Sequence, residues 1–261
     1  MPPELPTVTA VVVTRDRTRL LADALASVAA QRRPPLETRI GDDGEADLSD
    51  ALAALGGIEA TVVRTGAAGA GTARNRAAAG ARGDALAFLD DDDRWLPEHL
   101  QGLAAALADP AVALAFGDCA VVREELGPEG TRAERARRVI AHDWDAALMR
   151  HDDFIPPSAW LVRRALFGRL GGFDESFRYS EDWDFLMRAA SLTTPRRVPG
   201  VTVEIRMRAS GNASADFGPE RIECLRRLAA RHGLPPIEPK TFWEVAETVA
   251  SAGTERAKGG S

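Results

Sequence analysis

A run of four aspartates, Asp90 to Asp93, is the part of the sequence best suited to chemistry. It directly follows Ala85 to Leu89, an apolar stretch with the pattern of a buried strand. Four carboxylates this close repel one another, and the repulsion is tolerable only where a cation or hydrogen-bond donors offset it. Hard oxygen ligands suit Mg²⁺ or Mn²⁺, whose coordination shell substrate phosphates often complete. The alternative is an acidic turn that caps the helix after Trp95.

Three further acidic residues lie at positions where they could contribute to a ligand site or to catalysis. Asp42 ends a short strand near Glu37 to Ile40 and could accept a hydrogen bond from a base or a ribose hydroxyl, although a simple turn aspartate is the alternative. Glu181 and Asp182 open a helix, where the helix dipole alone favours acids. A carboxylate in that place could also act as a general base. Trp183 beside them is either a core residue or a stacking platform for a ligand.

Strands and helices alternate through the first half of the chain and would position these groups. Strands are predicted at Val8 to Val13, Glu37 to Ile40, Thr61 to Arg64 and Ala85 to Leu89, with helices at Thr18 to Val28, Leu48 to Leu55, Thr72 to Arg82 and Pro97 to Ala108. This order predicts a mainly parallel sheet with right-handed crossovers. Ligands gather at the carboxyl ends of such strands, where three polar clusters fall: Thr14 to Arg17, Asp42-Asp43 and Asp90 to Asp93.

The second half of the chain has a less regular pattern. Strands are predicted at Val112 to Phe116, Trp160 to Val162 and Val201 to Ile205, and helices at Ser180 to Ala190 and Ile222 to Ala230. We interpret the charge-rich stretch Arg123 to Arg138 as a mobile surface loop or an exposed helix. Residues Thr254 to Ser261 are predicted to be a disordered tail.

Composition excludes several classes of protein. A net charge of −6 without a basic domain gives no reason to expect a nucleic-acid partner. Cys119 and Cys224 fit free core thiols rather than a disulfide or a zinc site. No stretch reaches the roughly 18 apolar residues of a transmembrane segment, and the N-terminus does not have the pattern of a signal peptide. The expected location is cytoplasmic, with peripheral attachment to the inner membrane face as the alternative.

Four blocks of the sequence resemble the family-2 glycosyltransferases, which share the GT-A fold. The blocks begin at Thr9, Ile40, Gly71 and Gly171 and read TAVVVTRDRTRLLADALASVAAQ, IGDDGEAD, GTARNRAAAGARGDALAFLDDDDRWLPEHL and GGFDESFRYSEDWDFLMRAA. The resemblance implies an α/β fold with a mainly parallel, Rossmann-like nucleotide-binding sheet flanked by helices and a C-terminal acceptor-side extension. It implies one domain over residues 1–253, with a nucleotide-sugar-binding half at about 7–118 and an acceptor-binding half with C-terminal helices at about 119–253.

The resemblance also implies an activity and a set of site residues. The activity is inverting transfer of a sugar from a nucleotide-diphosphate donor, most often a UDP sugar, to an acceptor hydroxyl, assisted by Mn²⁺ or Mg²⁺. By motif, the residues expected to bind the nucleotide sugar are Thr14, Asp42, Arg74, Asn75, Asp90 and Asp91. The expected metal ligand is Asp92, and the expected catalytic residues are the base Asp182 and Glu181 beside it. The residues expected to contact the acceptor are Asp118, Trp183 and Arg208. A single displacement needs no second carboxylate as nucleophile.

The acceptor and the assembly are left open by the resemblance. A saccharide, a lipid-linked sugar and a natural product all fit as acceptors, and a homodimer is one option for the assembly. The segments expected to shape the acceptor site are Phe116 to Val122, Arg123 to Arg138 and His151 to Ser158. Arg206-Met207-Arg208 stands where many relatives carry a histidine, so an arginine could contact the diphosphate there and weaken metal binding.

Two other functions compete with this interpretation. A nucleotidyltransferase would need a basic, glycine-rich loop after the first strand, and Thr14 to Arg17 contains no glycine. A catalytically silent nucleotide-sugar-binding module would bind a donor without turning it over. Release of nucleoside diphosphate from a donor panel separates that module from an enzyme.

Overall fold

Strands and helices alternate through the first half of the chain, as the sequence predicts. The computed structural model describes residues 4–127, 132–208 and 213–259. The strands are β1 (Val8–Thr14), β2 (Glu37–Asp42), β3 (Ala60–Arg64), β4 (Ala85–Asp90), β5 (Arg94–Trp95), β6 (Leu114–Leu126), β7 (Arg132–Ile140), β8 (Trp160–Arg163) and β9 (Arg196–Met207). The helices are α1 (Thr18–Ala29), α2 (Ser49–Leu52), α3 (Ala70–Ala79), α4 (His99–Ala106), α5 (Arg164–Arg169), α6 (Glu181–Ala190), α7 (Pro219–His232) and α8 (Phe242–Gly259).

Nine strands of the described residues form one mixed sheet. Its order is β3-β2-β1-β4-β8-β6-β9-β5, and β7 pairs with β6 off this path. Strands β1 to β4 pair with one another in parallel, whereas β8 lies antiparallel to both β4 and β6. Strand β6 runs parallel to β9 and antiparallel to β7. The predicted α/β fold is confirmed, and each antiparallel pair includes at least one strand from the second half of the chain.

The carboxyl ends of β1 to β4 meet at one edge of the sheet because these strands run in the same direction. All seven residues of β1 are buried, and its β-branched apolar side chains suit a strand covered on both faces. Thr14 pairs with Asp42 on one side, and Val13 pairs with Asp90 on the other. The three predicted polar clusters therefore do lie at a common edge.

The stretch Arg123 to Arg138 is an antiparallel hairpin, so its prediction as a loop or exposed helix was wrong. The pairing of β6 with β7 runs from Cys119 opposite Ile140 to Leu126 opposite Arg132. Residues 128–131, between the two strands in sequence, lie outside the described part of the chain. The many charges reflect ion pairs along the exposed hairpin, such as the 2.6 Å contact between Arg135 and Glu125.

The last helix is longer than the sequence suggested. Its backbone is helical to Gly259, where a disordered tail was predicted from Thr254, and residues 260–261 lie outside the described part. Ala, Glu, Arg and Lys dominate this end, and such residues extend a helix that has already begun. The helix is fastened to the hairpin through Trp243, whose ring lies 4.1 Å from the guanidinium carbon of Arg123.

A cluster of buried aromatic rings joins the two halves of the sheet beneath its edge. Trp160 of β8 stacks on Phe185 of α6 with ring centroids 5.3 Å apart, and Phe88 of β4 lies 5.0 Å from Trp160. Phe173 contacts all three rings. This cluster fixes the start of α6 relative to the end of β4.

Two predictions from composition can be compared with the fold. Cys119 and Cys224 are both buried and unbridged, as expected. None of the described helices is both long enough and apolar enough to cross a bilayer.

Candidate active site

The aspartate run turns away from the end of β4 and is held by arginines. Asp91 is buried and accepts a hydrogen bond from Thr14 Oγ1 at 2.7 Å, and Arg17 Nη2 lies 2.9 Å from its other oxygen. Burial raises the pKa of Asp91 to about 7 although Arg17 opposes the shift. Asp92 is more exposed and forms ion pairs with Arg17 at 3.1 Å and Arg208 at 2.6 Å. The run is therefore partly neutralised by protein cations.

Asp93 is a buried member of the run that is held by hydrogen bonds from distant parts of the chain. Its carboxyl group accepts hydrogen bonds from Ser158 Oγ at 2.6 Å and from the Arg206 backbone N–H at 3.1 Å. Burial raises the pKa of Asp93 well above its ordinary value, and the charges of Asp92 and Asp90 raise it further. Asp93 belongs to the run predicted to bind a cation, but the resemblance to the family assigns it no role of its own.

Three carboxylates of the run converge closely enough to share a cation. One oxygen from each of Asp90, Asp92 and Asp93 lies within 4.8 Å of the others. Oxygen donors of this kind are what Mg²⁺ and Mn²⁺ prefer. Burial is the main cause of the raised pKa of Asp93, the charges of Asp92 and Asp90 add to it by repulsion, and a cation would relieve that repulsion. The residues present therefore fit a divalent ion.

Arg74 connects this run to the start of α6. One of its terminal nitrogens lies 2.5 Å from Asp90 and the other 2.5 Å from Glu181. Its side chain is only 4% exposed. Burial alone would lower the pKa of Arg74, but the charges of Asp90 and Glu181 raise it above the ordinary value, so the group stays a cation.

Two acidic residues open α6 on the far side of Arg74. Ser180, which precedes the helix, has a left-handed backbone with φ of 62°, a strained conformation for a residue with a side chain. Burial raises the pKa of Glu181 to about 7, although Arg74 opposes the shift. Burial also raises the pKa of Asp182, whose Oδ1 accepts the Trp183 backbone N–H at 2.9 Å. Glu181 is thus poised to hold or release a proton near neutral pH, and Asp182 holds its proton more tightly than an ordinary aspartate does.

A pocket of roughly 470 Å³ brings these groups together. Its lining includes the predicted site residues Thr14, Arg74, Asp90, Asp91, Asp92, Glu181, Asp182 and Trp183. A cleft of this size, with acids at strand ends on one side and a helix start on the other, can hold a charged ligand between two sets of carboxylates.

The sequence comparison decides the family. The model described as glycosyl transferase family 2 matches residues 9–171, which is more than half of the chain. The chain belongs to glycosyl transferase family 2. The uncharacterized glycosyltransferase YwdF of Bacillus subtilis is 31% identical over 234 residues, covering 89% of this chain and 86% of that protein. The O-antigen biosynthesis protein RfbC of Myxococcus xanthus is 29% identical over 180 residues, which cover 67% of this chain and 14% of that protein.

Solved structures share the fold of this glycosyltransferase. S. aureus TarS 1–349 in complex with UDP-GlcNAc has a TM-score of 0.65 at 20% identity, over 86% of this chain and 66% of that one. The chain spans 39% of a longer TarS structure. The mannosyltransferase PcManGT of Pyrobaculum calidifontis, in complex with GDP-Man and Mn²⁺, has a TM-score of 0.60 at 20% identity, over 100% of this chain and 77% of that one. The predicted GT-A fold is confirmed.

Asp42 lies beneath the glycosyltransferase pocket, and its neighbour Asp43 lines it. Asp42 is fully buried, accepts the Gly44 N–H at 3.0 Å and pairs with Arg64 at 2.8 Å. Asp43 accepts hydrogen bonds from Thr65 Oγ1 at 2.7 Å and from two backbone N–H groups of the following loop. Asp42, predicted to contact the nucleotide, thus holds the turn, and Asp43 is the carboxylate of this strand end that lines the pocket.

Two other predicted residues are not brought to the pocket. Asn75 donates to the Phe173 carbonyl at 2.8 Å and accepts the Phe173 N–H at 2.9 Å, so it fastens the segment that leads to α6. Asp118 pairs with Arg197 at 2.6 Å and accepts the Gly200 N–H at 2.9 Å. Both side chains hold neighbouring segments in place.

The last two predicted acceptor residues are near the pocket but already engaged. Trp183 is buried and donates its ring N–H to the Met149 carbonyl at 2.9 Å, so most of its surface belongs to the core. Arg208 pairs with Asp92 and does not line the pocket. Of the three expected acceptor segments, His151 to Ser158 contributes residues to the lining, and Phe116 to Val122 does not.

Sequence reasoning missed several groups at the site. Arg17 and Asp93 lie within the polar clusters already identified, so their position at strand ends was a usable signal. Asp153 and Lys240 also line the pocket, and they come from a loop and from the segment before α8. Their participation depends on contacts between distant parts of the chain, for which a single sequence holds no local pattern.

Proposed function

We propose that this protein transfers a sugar from a nucleotide-diphosphate donor, preferably a UDP sugar, to an acceptor hydroxyl with inversion at the anomeric carbon. The observation that carries the proposal is the Arg74 guanidinium, which bridges Asp90 and Glu181 at the pocket. Arg74 thereby joins two sides of the pocket. The aspartate edge would bind the cation and face the phosphates, and the start of α6 carries the candidate proton acceptors Glu181 and Asp182. Donor and acceptor would meet between them.

The donor would bind along the carboxyl ends of β1, β2 and β4. Thr14, Asp43 and the loop at Gly69 line this side of the pocket. The UDP-GlcNAc and GDP-Man complexes of the two structural neighbours support a nucleotide-sugar donor on this fold. We favour a UDP sugar on the resemblance to the family.

Asp92 would hold Mn²⁺ or Mg²⁺ together with Asp90 and Asp93. A divalent ion bound there would neutralise charge that grows on the departing diphosphate. Arg17 and Arg208, now paired with Asp92, add positive charge at the same edge. This protein would therefore offer both carboxylates for a cation and guanidinium groups for phosphate oxygens.

Asp182 would act as the general base. The acceptor oxygen forms a bond to the anomeric carbon, the bond from that carbon to the diphosphate oxygen breaks, and Asp182 takes the hydroxyl proton. Its raised pKa brings its proton affinity closer to what a base needs at neutral pH. Glu181, held by Arg74, would keep the start of α6 in place and shape the electrostatics around Asp182.

A donor panel tests the proposal. UDP, GDP and dTDP sugars are incubated with the protein and Mn²⁺, release of nucleoside diphosphate is measured, and the anomeric configuration of any product is determined by NMR. We expect turnover of one nucleotide class and a product of inverted configuration. Binding of a donor without turnover would favour the silent module, and a product of retained configuration would refute the single displacement.

A further inference from the structure

Two arginines converge on a single carboxylate oxygen of Asp92. Asp92 Oδ2 accepts a hydrogen bond from Arg208 Nη2 at 2.6 Å and another from Arg17 Nη1 at 3.1 Å. The Arg208 side chain is only 9% exposed, whereas that of Arg17 is 39% exposed. Asp92 is also one of the three carboxylates that lie close enough to share a cation. A largely buried arginine therefore supplies positive charge to the residue proposed as the metal ligand.

A second carboxylate lies within reach of Arg208. Glu124 of β6, with a side chain only 4% exposed, has an oxygen 3.8 Å from Arg208 Nη1. The same oxygen of Glu124 accepts a hydrogen bond from Arg132 of β7 at 2.7 Å, and Arg132 also pairs with Asp23 of α1. Arg208 therefore lies between two carboxylates, Asp92 and Glu124, and pairs more closely with Asp92.

The main chain of Asp92 is held separately from its side chain. Arg206 Nε donates to the Asp92 carbonyl at 2.9 Å, and Arg206 Nη2 donates to the Asp93 carbonyl at 3.3 Å. The Arg206 backbone N–H donates to Asp93 Oδ1 at 3.1 Å. The Asp92 carboxylate can therefore exchange one cation for another while the aspartate run keeps its place at the end of β4.

We propose that Arg208 competes with a divalent ion for Asp92, and that Glu124 takes over Arg208 when an ion is bound. The inference rests on the proposed function, since it concerns the metal ligand of the same site. Arg208 keeps the affinity of Asp92 for an ion alone low, because a dication and a guanidinium group repel each other. The negative charge of a nucleotide diphosphate offsets this repulsion, so each of the two ligands raises the affinity for the other.

Titration of the full chain with Mn²⁺ measures this competition. Free Mn²⁺ is followed by electron paramagnetic resonance with and without UDP, and the binding of Mn²⁺ to UDP alone is subtracted. UDP should tighten Mn²⁺ binding to the wild type by about 5–150-fold, the usual range for coupled sites. Without UDP, Arg208→Gln should bind Mn²⁺ about tenfold more tightly than the wild type, since the ion no longer displaces a charged hydrogen bond, and its gain from UDP should be smaller. Arg135→Gln is the matched control, because Arg135 is an exposed arginine of the hairpin, and it should behave as wild type.

Glu124→Gln is a second variant, for which the expected change has the opposite sign. Without the charge of Glu124, Arg208 stays with Asp92, so Mn²⁺ alone should bind more weakly than to the wild type, whereas a general loss of structure would weaken binding in both variants. Asp50→Asn is the control for this substitution, because Asp50 is an exposed carboxylate that does not line the pocket. Mn²⁺ binding that is unchanged or weaker in Arg208→Gln, or unchanged or tighter in Glu124→Gln, would overturn the proposal. If the wild type binds no Mn²⁺ even with UDP, the proposed metal-assisted function fails as well; if Mn²⁺ and UDP bind together but the variants match the wild type, only this inference fails.

Discussion

Arg74 is the residue on which both sides of the candidate site depend. Its guanidinium reaches Asp90 at the end of β4 and Glu181 at the start of α6, each at 2.5 Å. A planar guanidinium supplies paired donors in a fixed geometry, which a lysine cannot reproduce. Among the described residues its Nε has no hydrogen-bond partner, although it is buried. Such a donor at the pocket is suited to an oxygen atom of a bound ligand.

Asp182→Asn should separate binding from chemistry. The amide keeps the size of the carboxyl group and its contact with the Trp183 N–H but cannot take a proton. Nucleotide affinity, measured by isothermal titration, should stay unchanged, while sugar transfer should fall by about 10²–10⁴-fold. Asp50→Asn should leave both quantities unchanged. Retained transfer in the Asp182 variant would exclude it as the base.

Transfer should depend on pH through the Glu181 and Asp182 pair. Burial raises the pKa of Glu181 to about 7 and raises the pKa of Asp182 above its ordinary value, and such neighbours titrate as a pair. A base must be ionised to accept a proton, so kcat/KM should rise with pH and level off only above about 7. A midpoint near 4, as for an ordinary carboxylate, would contradict the role of burial.

At the scale of elements, the contact between β2 and α3 sets the width of the donor side of the pocket. A methyl group added at Gly41 would lie 2.5 Å from the carbonyl oxygen of Ala73, which is main chain and cannot turn aside. Gly41→Ala should therefore lower the free energy of unfolding by about 1–3 kcal/mol, the usual cost of overpacking. Thermal unfolding measures the change.

A second glycine supplies the control for that substitution. Gly168 lies in α5 and is exposed, and an added methyl group there would meet no atom within 4 Å. Gly168→Ala should be neutral or stabilising by up to about 1 kcal/mol, because alanine favours a helix. Equal melting temperatures for the two variants would show that β2 and α3 are not packed as closely as described.

Elements with a strong local pattern could be predicted, and those defined by distant pairing could not. Strands β1 and β4 are uninterrupted apolar runs buried on both faces, so their length and composition identify them. The hairpin of β6 and β7 carries alternating charges whose partners include Glu204 on β9, 2.7 Å from Arg137. Such a pattern resembles a solvated helix or loop until the partner strand is known.

The same distinction explains which of the predicted site residues line the pocket. Asp90 to Asp93 and Glu181-Asp182 were found because they follow a strand or begin a helix, and both positions are set locally. Asn75 was assigned to the nucleotide by motif, but its side chain bonds the backbone of Phe173, almost one hundred residues away. One such long-range contact decides whether a polar residue faces a ligand or fastens a segment.

On the scale of the whole molecule, the pocket has two sides of different origin. The aspartate edge belongs to the region that defines the family, whereas Arg221, Lys240 and Phe242 come from beyond it. These three residues, which form a C-terminal wall of the pocket, therefore lie outside the region that the family model matches. We expect substitutions in the C-terminal wall to change acceptor affinity and to leave nucleotide affinity intact.

The most direct test of the account is isothermal titration of UDP into the protein with and without Mn²⁺, repeated with Asp92→Ala. Wild-type protein should bind UDP more tightly when Mn²⁺ is present, and Asp92→Ala should lose this metal-dependent gain, since Asp92 is the proposed ligand at the aspartate edge. Asp50→Ala, which removes an exposed carboxylate elsewhere, should behave as wild type. UDP binding that does not depend on Mn²⁺, or a gain that survives in Asp92→Ala, would contradict the proposed metal-assisted donor site.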